Sequence, residues 1–188
     1  MRELALHILD IAENSITAGA TQIRIVIKEK LSEDLLKIVI EDNGKGMNAE
    51  TLKNVTNPFI TSRTSRKVGL GIPFFKAAAE ACEGSFNIES KPGSGTRVEA
   101  VFKHSHIDRM PLGDITGTFL TLLIGTPDVN WVFEYYVDDK AFIFDSTKIM
   151  QILDGLPLTD PMVLKHIRNM LEQGISNVNS KESMKVNI

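Results

Sequence analysis

Cysteine is nearly missing from this chain: Cys82 stands alone among 188 residues. A single thiol excludes a disulfide framework and a thiolate zinc site within one chain, and its place among alanines on a predicted helix fits a reducing compartment. Long apolar runs are missing too. No stretch of about 18 uncharged apolar residues occurs, and Met1-Arg2-Glu3 leads straight into an amphipathic segment without a signal-peptide core. A cytoplasmic protein with no membrane contact is therefore expected. A large excess of either charge is missing as well. The formal net charge is −3, and the one local basic cluster, Arg63, Arg66 and Lys67, is too short to follow a nucleic-acid backbone. It is well sized for a few phosphate oxygens. The phosphate-loop pattern G-x-x-x-x-G-K-[ST] occurs nowhere, which removes ordinary P-loop chemistry. No internal repeat or low-complexity tract stands out.

What remains is an ordinary globular composition, 43% hydrophobic and 24% charged. A chain of this length buries roughly 70% of its unfolded surface, so a sizeable core is available. The densest local signal is Glu41-Asp42-Asn43-Gly44-Lys45-Gly46-Met47, directly behind the apolar run Leu35-Leu36-Lys37-Ile38-Val39-Ile40. The run reads as a mostly buried strand. An acidic residue at a strand end, followed by glycines that let backbone approach a ligand, suits a nucleotide base and its sugar. Asn43-Gly44 between apolar segments reads equally as a hairpin turn. Gly44-x-Gly46-x-x-Ala49 also matches the dinucleotide fingerprint, but the acidic residue expected about 20 positions on, after a second strand, is missing.

Upstream, residues 2–18 have helical periodicity, with Leu4, Ile8, Ile11, Ala12 and Ser15 on one face and Glu3, His7, Asp10 and Asn14 on the opposite one. Asp10 and Asn14 lie one turn apart and point the same way. An amide oxygen there can ligate magnesium, which takes oxygen donors and keeps waters and substrate phosphates as its other ligands. A carboxylate one turn away can orient water or accept a proton. A helix that simply faces solvent would show the same stripe. Gly19-Ala20 ends the helix, residues 22–28 alternate as a half-buried strand and residues 30–34 form a charged turn. Two strands in a hairpin would then deliver Asp42 to one edge. Asn48 is placed to cap a short helix over 49–55, with Glu50 in its first turn.

Residues 56–68 form a polar, basic loop around Pro58-Phe59-Ile60 and lead into Gly69-Leu70-Gly71-Ile72-Pro73. Phe74 to Cys82 is apolar and alanine-rich, which predicts a helix with Pro73 at its first position and Gly84 as its stop. The glycines then lie at a helix N-terminus, where free N–H groups and about half a positive charge bind anions without help from a side chain. Residues 85–90 and 97–103 alternate like strands. The glycine-containing turn over 91–96 joins them as a plain hairpin, and its exit residue Thr96 can face Asp42.

Four blocks in this order, Glu13-Asn14-Ser15, Asp42-x-Gly44-x-Gly46, Gly69-Leu70-Gly71-Ile72 and Gly93-x-Gly95-Thr96, resemble the Bergerat-fold (GHKL) ATPases. That superfamily joins gyrase-type topoisomerases, heat-shock chaperones, sensor histidine kinases and mismatch-repair ATPases. The resemblance spans residues 2–103 and implies Mg-ATP as cofactor. It makes Asn14 the magnesium ligand and Asp42 the acceptor for the adenine amino group. Gly44 and Gly46 would shape the adenine pocket, and Gly69 and Gly71 would present N–H groups to the phosphates. Thr96 would support Asp42 through water, and Met47, Phe59, Leu70 and Ile72 complete the nucleotide-binding set. Arg63, Arg66 or Lys67 would clamp the terminal phosphates. The implied fold is an α/β (α+β) sandwich of two layers, a mixed, mostly antiparallel sheet with helices on one face. Chemistry agrees on the base: a carboxylate accepts from adenine's amino group but meets a carbonyl oxygen in guanine. Losing a charged hydrogen bond of about 1.5–3 kcal/mol and gaining repulsion excludes GTP.

Residues 13–21 are similar to mismatch-repair ATPases, whose catalytic glutamate lies four residues before the asparagine; Asp10 holds that place here, shorter by one methylene. Gly69–Ile72, the short loop before it and Asn57-Pro58-Phe59 are closer to sensor histidine kinases and anti-sigma-factor kinases. The leading expectation is a histidine-kinase-like protein kinase domain. The phosphoacceptor hairpin of sensor kinases has no counterpart ahead of the first helix, and His104, His106 and His166 lack its context, so phosphate is expected to pass to a separate protein. His104-x-His106 reads as two surface residues ending a strand rather than a metal pair. The alternatives are an ATP-hydrolysing conformational switch using Asp10 and a non-enzymatic nucleotide sensor that binds a partner.

Residues 105–188 carry no recognised motif and are expected as an extension of the ATP-binding domain 1–104, one that could also complete its sheet. A linker over 107–114 precedes strand candidates at 118–124, 131–137 and 141–144, the last two turned by Asp138-Asp139-Lys140. Helices are expected at 146–153 and 160–173, with fraying from Asn177.

Overall fold

The computed structural model describes residues 3–56 and 70–180. Helix α1 (Leu4–Thr17) is followed by β1 (Gln22–Lys30), a single 3₁₀ turn (Leu31–Glu33), β2 (Leu35–Asp42) and α2 (Ala49–Val55). Then come α3 (Gly71–Ala81), β3 (Ser85–Lys91), β4 (Gly95–Lys103) and α4 (Ile115–Gly125). The C-terminal part adds β5 (Asn130–Val137), β6 (Lys140–Asp145), α5 (Ser146–Ile152) and α6 (Pro161–Asn179). The strands make one sheet in the order β3-β4-β2-β1-β5-β6. All neighbours run antiparallel except β1 and β5, which are parallel with Ile23 beside Trp131 and Ile25 beside Phe133.

Alternation along the strands decides the faces. Ile23, Ile25, Ile27, Leu36, Ile38, Ile40, Val98, Ala100, Phe102, Trp131, Phe133 and Tyr135 are buried against the helical layer. In that layer α1 touches α3 and α4, and α4 touches α6, so helices and sheet share one apolar core. The result is the two-layer sandwich that the resemblance implies, a mixed sheet with helices on one face.

The opposite face is covered by charge. Lys37 pairs with Glu99 at 3.1 Å, Glu99 with Arg97 at 2.6 Å, Arg97 with Glu41, Glu41 with Arg24 at 3.1 Å, and Arg24 with Glu134 at 2.8 Å. This alternating ladder crosses β4, β2, β1 and β5. Beneath its methylene stems Val26 and Val39 are only 3% and 4% exposed, although they face away from the helices.

Several segments depart from the sequence reading. Residues 118–124, a strand candidate, lie in α4. A continuous apolar run reads as either element, but burial at Ile115, Phe119, Leu122 and Leu123 follows the helical period, and Asp114 caps the start by accepting the Gly117 N–H at 2.8 Å. Helix α3 begins at Gly71 rather than at Pro73, so the proline is its third residue, still within the turn that has no use for an N–H. Helix α6 runs past Asn177 to Asn179, held by buried Val178 and by a 3.3 Å bond from Asn179 Nδ2 to the Tyr135 hydroxyl.

The polar stripe of α1 does not face solvent. His7 is 2% exposed, its ring stacks on Phe75 of α3 with centroids 5.3 Å apart, and neither ring nitrogen finds a hydrogen-bond partner among the described residues. Burial pushes its pKa down from 6.5 to about 4. The unfolded chain therefore takes up the proton first as pH falls, so the stability linked to His7 is full above pH 6.5 and is lost on the way down to about 4. Each pH unit in that window removes about 1.4 kcal/mol at most. Urea denaturation at about pH 7.5 and about pH 5 is expected to show wild type losing about 2 kcal/mol more than His7→Phe, which keeps the stack. Equal pH dependence in the two proteins would clear the buried imidazole of this role.

Candidate functional site

Asp42 ends β2 on the helix side of the sheet, and both of its carboxylate oxygens are held. The Ser15 hydroxyl of α1 donates to Oδ2 at 2.7 Å and the Gly44 N–H donates to Oδ1 at 2.8 Å. The chain does not turn back at Asn43-Gly44, so the hairpin reading fails; β2 lies between β1 and β4, and the heptad runs on toward α2. Asn43 explains why. Its Oδ1 accepts the N–H groups of Thr21 and Gln22, each at 2.9 Å, and its Nδ2 donates to the Thr21 hydroxyl at 2.9 Å. Lys45 N–H then donates to Ala18 O at 2.9 Å, which ties the loop to the end of α1.

Beyond Asp42 the loop is fixed from β3 and β4. Gly46 has φ +64°, and a Cβ there would lie 2.0 Å from the Lys91 carbonyl oxygen, so no other residue fits without moving backbone. Met47 N–H donates to Ser90 Oγ at 2.8 Å, and Ser90 Oγ lies 2.9 Å from Thr96 Oγ1. Thr96 is the cross-strand neighbour of Asp42.

Between α1, this loop, α2 and the start of α3 lies a cavity of about 200 Å³. Ile11, Val55, Ile72 and Val98 supply apolar walls, Met47 and Gly46 the loop side, and Asn14, Ser15, Asp42 and Thr96 the polar groups. Such a space, apolar with a few convergent polar atoms, suits a flat heteroaromatic base read along one edge. Of the residues singled out from sequence, Asn14, Asp42, Gly46, Met47, Ile72 and Thr96 line this cavity, and Gly44 is buried behind Asp42. Leu70, at the start of α3, is 44% exposed instead. Phe59, Arg63, Arg66, Lys67 and Gly69 lie outside the described residues.

Asp10 and Gly71 meet one turn of α1 away from Asn14. A Cβ on Gly71 would sit 2.8 Å from the Asp10 Cβ, so glycine is what lets the N-terminus of α3 abut that carboxylate. Burial raises the Asp10 pKa. Among the described residues no group of three or more His, Cys, Asp or Glu could hold a metal ion by itself. An amide oxygen such as that of Asn14, with room for waters and phosphate oxygens, fits magnesium held mainly by its substrate.

Sequence reasoning gave no role to Ser15, Lys45, Thr51 or Val55, which also border the cavity. Ser15 had a signal, a lone hydroxyl on the otherwise apolar face of α1; the others had none. Because the Ser15–Asp42 bond is part-buried and charge-assisted, Ser15→Ala is expected to cost about 1.5–3 kcal/mol of unfolding free energy at neutral pH. In an Asp42→Ala background the same substitution should cost about 1 kcal/mol less or better. Additive costs in that double-mutant cycle would show that the two side chains do not act together.

The family model described as "Histidine kinase-, DNA gyrase B-, and HSP90-like ATPase" matches residues 2–106. A putative sensor protein of Shewanella frigidimarina is 32% identical over 103 residues, 54% of this chain and 16% of that protein. The cell-division control histidine kinase PdhS of Brucella ovis is 31% identical over 120 residues, 57% of this chain and 11% of that protein. The match thus spans about a sixth or less of the length of these curated relatives. Among solved structures, the N-terminal domain of a DNA repair protein superposes with a TM-score of 0.52 at 12% identity, covering 76% of this chain and 52% of that one, which is a likeness of fold. With the family model covering more than half of the sequence, the chain belongs to the histidine kinase-, DNA gyrase B- and HSP90-like ATPase family.

Proposed function

We propose that this chain binds Mg-ATP in the cavity beside Asp42 and acts as a histidine-kinase-like protein kinase domain, passing the terminal phosphate to a separate protein. The observation that carries the reading is the Asp42 carboxylate, held by Ser15 and Gly44 on the wall of an apolar cavity that Asn14 also lines. With both oxygens already fixed by donors, Asp42 keeps acceptor capacity for one more N–H, which adenine's amino group offers and guanine's carbonyl does not. Thr96 sits across the strand pair from Asp42 and would support it through water. Asn14 would ligate magnesium, which supplies charge neutralisation at the phosphates. The first turn of α3 from Gly71 would offer N–H groups to them, and Arg63, Arg66 or Lys67 would supply further cations. Phosphoryl transfer of this kind is mostly positioning and electrostatic stabilisation.

A second reading has its own observation. Asp10, with its pKa raised by burial and its side chain against Gly71, would serve as a general base for water, which would make the protein an ATP-hydrolysing switch. Location in the cytoplasm, where ATP is available and Cys82 stays reduced, belongs to the same proposal; among the described residues no helix is long and apolar enough to cross a membrane.

Calorimetry with ATP and Mg²⁺ is expected to show Asp42→Asn weakening ATP binding by roughly 10–100-fold, the equivalent of one charged hydrogen bond, and Asn14→Ala removing the magnesium dependence. Equal affinity in wild type and Asp42→Asn would remove the base-reading role. With ATP labelled on the terminal phosphate, label on a co-purified protein supports the kinase. Phosphate release abolished by Asp10→Asn supports the hydrolase, and tight binding with neither outcome leaves a nucleotide sensor.

A further inference from the structure

Ser90 of β3 stands beside Thr96 of β4, and Thr96 beside Asp42 of β2, so the three side chains form one row on the helix side of the sheet. Asp42 and Thr96 line the cavity, and Ser90 lies one strand behind them. The Ser90 hydroxyl makes three contacts: the Met47 N–H at 2.8 Å, the Gly95 carbonyl oxygen at 2.9 Å and Thr96 Oγ1 at 2.9 Å. A hydroxyl has one hydrogen and two lone pairs, so three contacts use it up. Counting hydrogens then assigns the direction of each bond. The Met47 N–H can only donate and the Gly95 carbonyl can only accept, so Ser90 spends its own hydrogen on Gly95. The contact between the two hydroxyls must therefore carry the hydrogen of Thr96. Reversing it would leave Ser90 Oγ facing the Gly95 oxygen as two acceptors with no hydrogen between them. Along the same row, the Ser15 hydroxyl and the Gly44 N–H give their hydrogens to the Asp42 carboxylate. The hydrogens of Ser15, Gly44, Thr96 and Ser90 are thus all spent within the protein, and Asp42 and Thr96 meet the cavity with lone pairs alone.

We infer that Ser90 is a positioning residue for nucleotide selection: by taking the Thr96 hydrogen it fixes Thr96 as a second acceptor beside Asp42, and the site selects a base whose edge carries an amino group with both hydrogens free. This role rests on the cavity being an ATP site. Adenine's amino group supplies the pair of hydrogens, one for Asp42 and one for Thr96, directly or across one water. The spacing suits it. Two acceptors about 2.9 Å from one trigonal amino nitrogen lie about 5 Å from each other, and the side chains of cross-strand neighbours stand about 4.5–5.5 Å apart. Ser90 also has a mechanical part. With the Met47 N–H on Ser90 Oγ and the Gly93 N–H on Lys45 O at 2.8 Å, the loop after Asp42 is fastened to the β3–β4 hairpin at two points. Met47 lines the cavity, so losing that fastening weakens every nucleotide alike. Only the direction of the Thr96 hydrogen separates an amino base from an oxo base.

Binding of ATP, and of ITP in competition with it, measured on the whole chain with saturating Mg²⁺, reads that direction. ITP carries at position 6 an oxygen that accepts where adenine's amino group donates. Ser90→Ala releases the Thr96 hydroxyl, which can then turn its hydrogen into the cavity, so the ratio of ATP to ITP affinity is expected to fall by roughly 3–10-fold, the worth of about one neutral hydrogen bond. Ser90→Thr, which keeps a hydroxyl, should hold the ratio near that of wild type. In a Thr96→Val background, Ser90→Ala should leave the ratio unmoved. ATP and ITP weakened by the same factor in Ser90→Ala, or a ratio that falls equally with and without the Thr96 hydroxyl, overturns the role of Ser90 and leaves the ATP site in place. A wild type that binds neither nucleotide overturns the ATP site and this role of Ser90 together.

Discussion

The two hydrogen bonds that Asp42 accepts, from Ser15 Oγ and from the Gly44 N–H, are the constraint on which the rest of the site depends. The first spans α1 and β2, distant in sequence, and sets how far the helix slides along the sheet. The second makes the loop after β2 begin by folding over the carboxylate rather than turning back as a hairpin. Asn14 precedes Ser15, so its position relative to Asp42 is inherited from the same bond, and the wall of the cavity is built in one step. Carboxylates in part-buried sites need such donors; without them the charged form would be costly to hold beside Ile11, Val98 and Ile72.

The helix that carries Ser15 is positioned by a sheet that the C-terminal part completes. β1 lies inside the sheet because β5 runs parallel to it, and the seam is tied at both ends: Asn130 N–H donates to Thr21 O at 2.9 Å, and Asp138 N–H donates to Glu29 O at 2.8 Å. Trp131 N–H finds the fully buried Ser146 Oγ at 2.9 Å, so the strand start and the helix after β6 are satisfied together. Glu29 collects the Tyr135 hydroxyl and, at 2.6 Å, His104 Nε2, while Asn179 of α6 reaches the same hydroxyl. His104 is thus one member of a part-buried polar junction rather than a bare surface residue. Residues on either side of position 104 share one sheet and one core.

Strong periodicity was legible wherever one face meets water and the other a core. β1 alternates, β2 stands out as a short apolar run ending in Glu41-Asp42, and α1 keeps its apolar residues on one side, so their type and rough extent could be read directly. α4 could not, because its run from Ile115 to Ile124 is apolar almost throughout and length alone favours neither element; the helix wins through Asp114 and the spacing of its buried side chains. At the site, Asp42, Asn14 and Thr96 were legible as residue types that bind nucleotides, and the fold brings them around one cavity. Ser15 showed only as a lone hydroxyl among Ile8, Ile11 and Ala12, a signal that marks the position without naming its partner. His7 was placed on the polar stripe by that pattern, which left open whether the stripe meets solvent; a second helix covers it. Periodicity reports two faces and not what packs on the second. Lys45 and Thr51 carry no chemical signature, and only the path of the loop brings them near.

The two faces of the sheet are joined at the strand ends. Glu41 and Asp42 are consecutive on β2, so the pleat sends Asp42 into the cavity and Glu41 to the open face; opposite them on β4, Thr96 and Arg97 divide in the same way. Glu41 is gripped by Arg97 and Arg24, and Arg24 also holds Glu134 of β5 through two bonds at 2.8 and 2.9 Å. The backbone carrying the cavity's carboxylate is therefore clamped from behind by a charge ladder anchored in the C-terminal part. Exposed ion pairs taken singly add little stability. Here several alternate in one line across a fixed register, and their effect is geometric: a slip of β2 by one residue would exchange Glu41 with Asp42, break both Arg bonds and turn the Asp42 carboxylate toward solvent. The ladder selects the register in which the cavity exists.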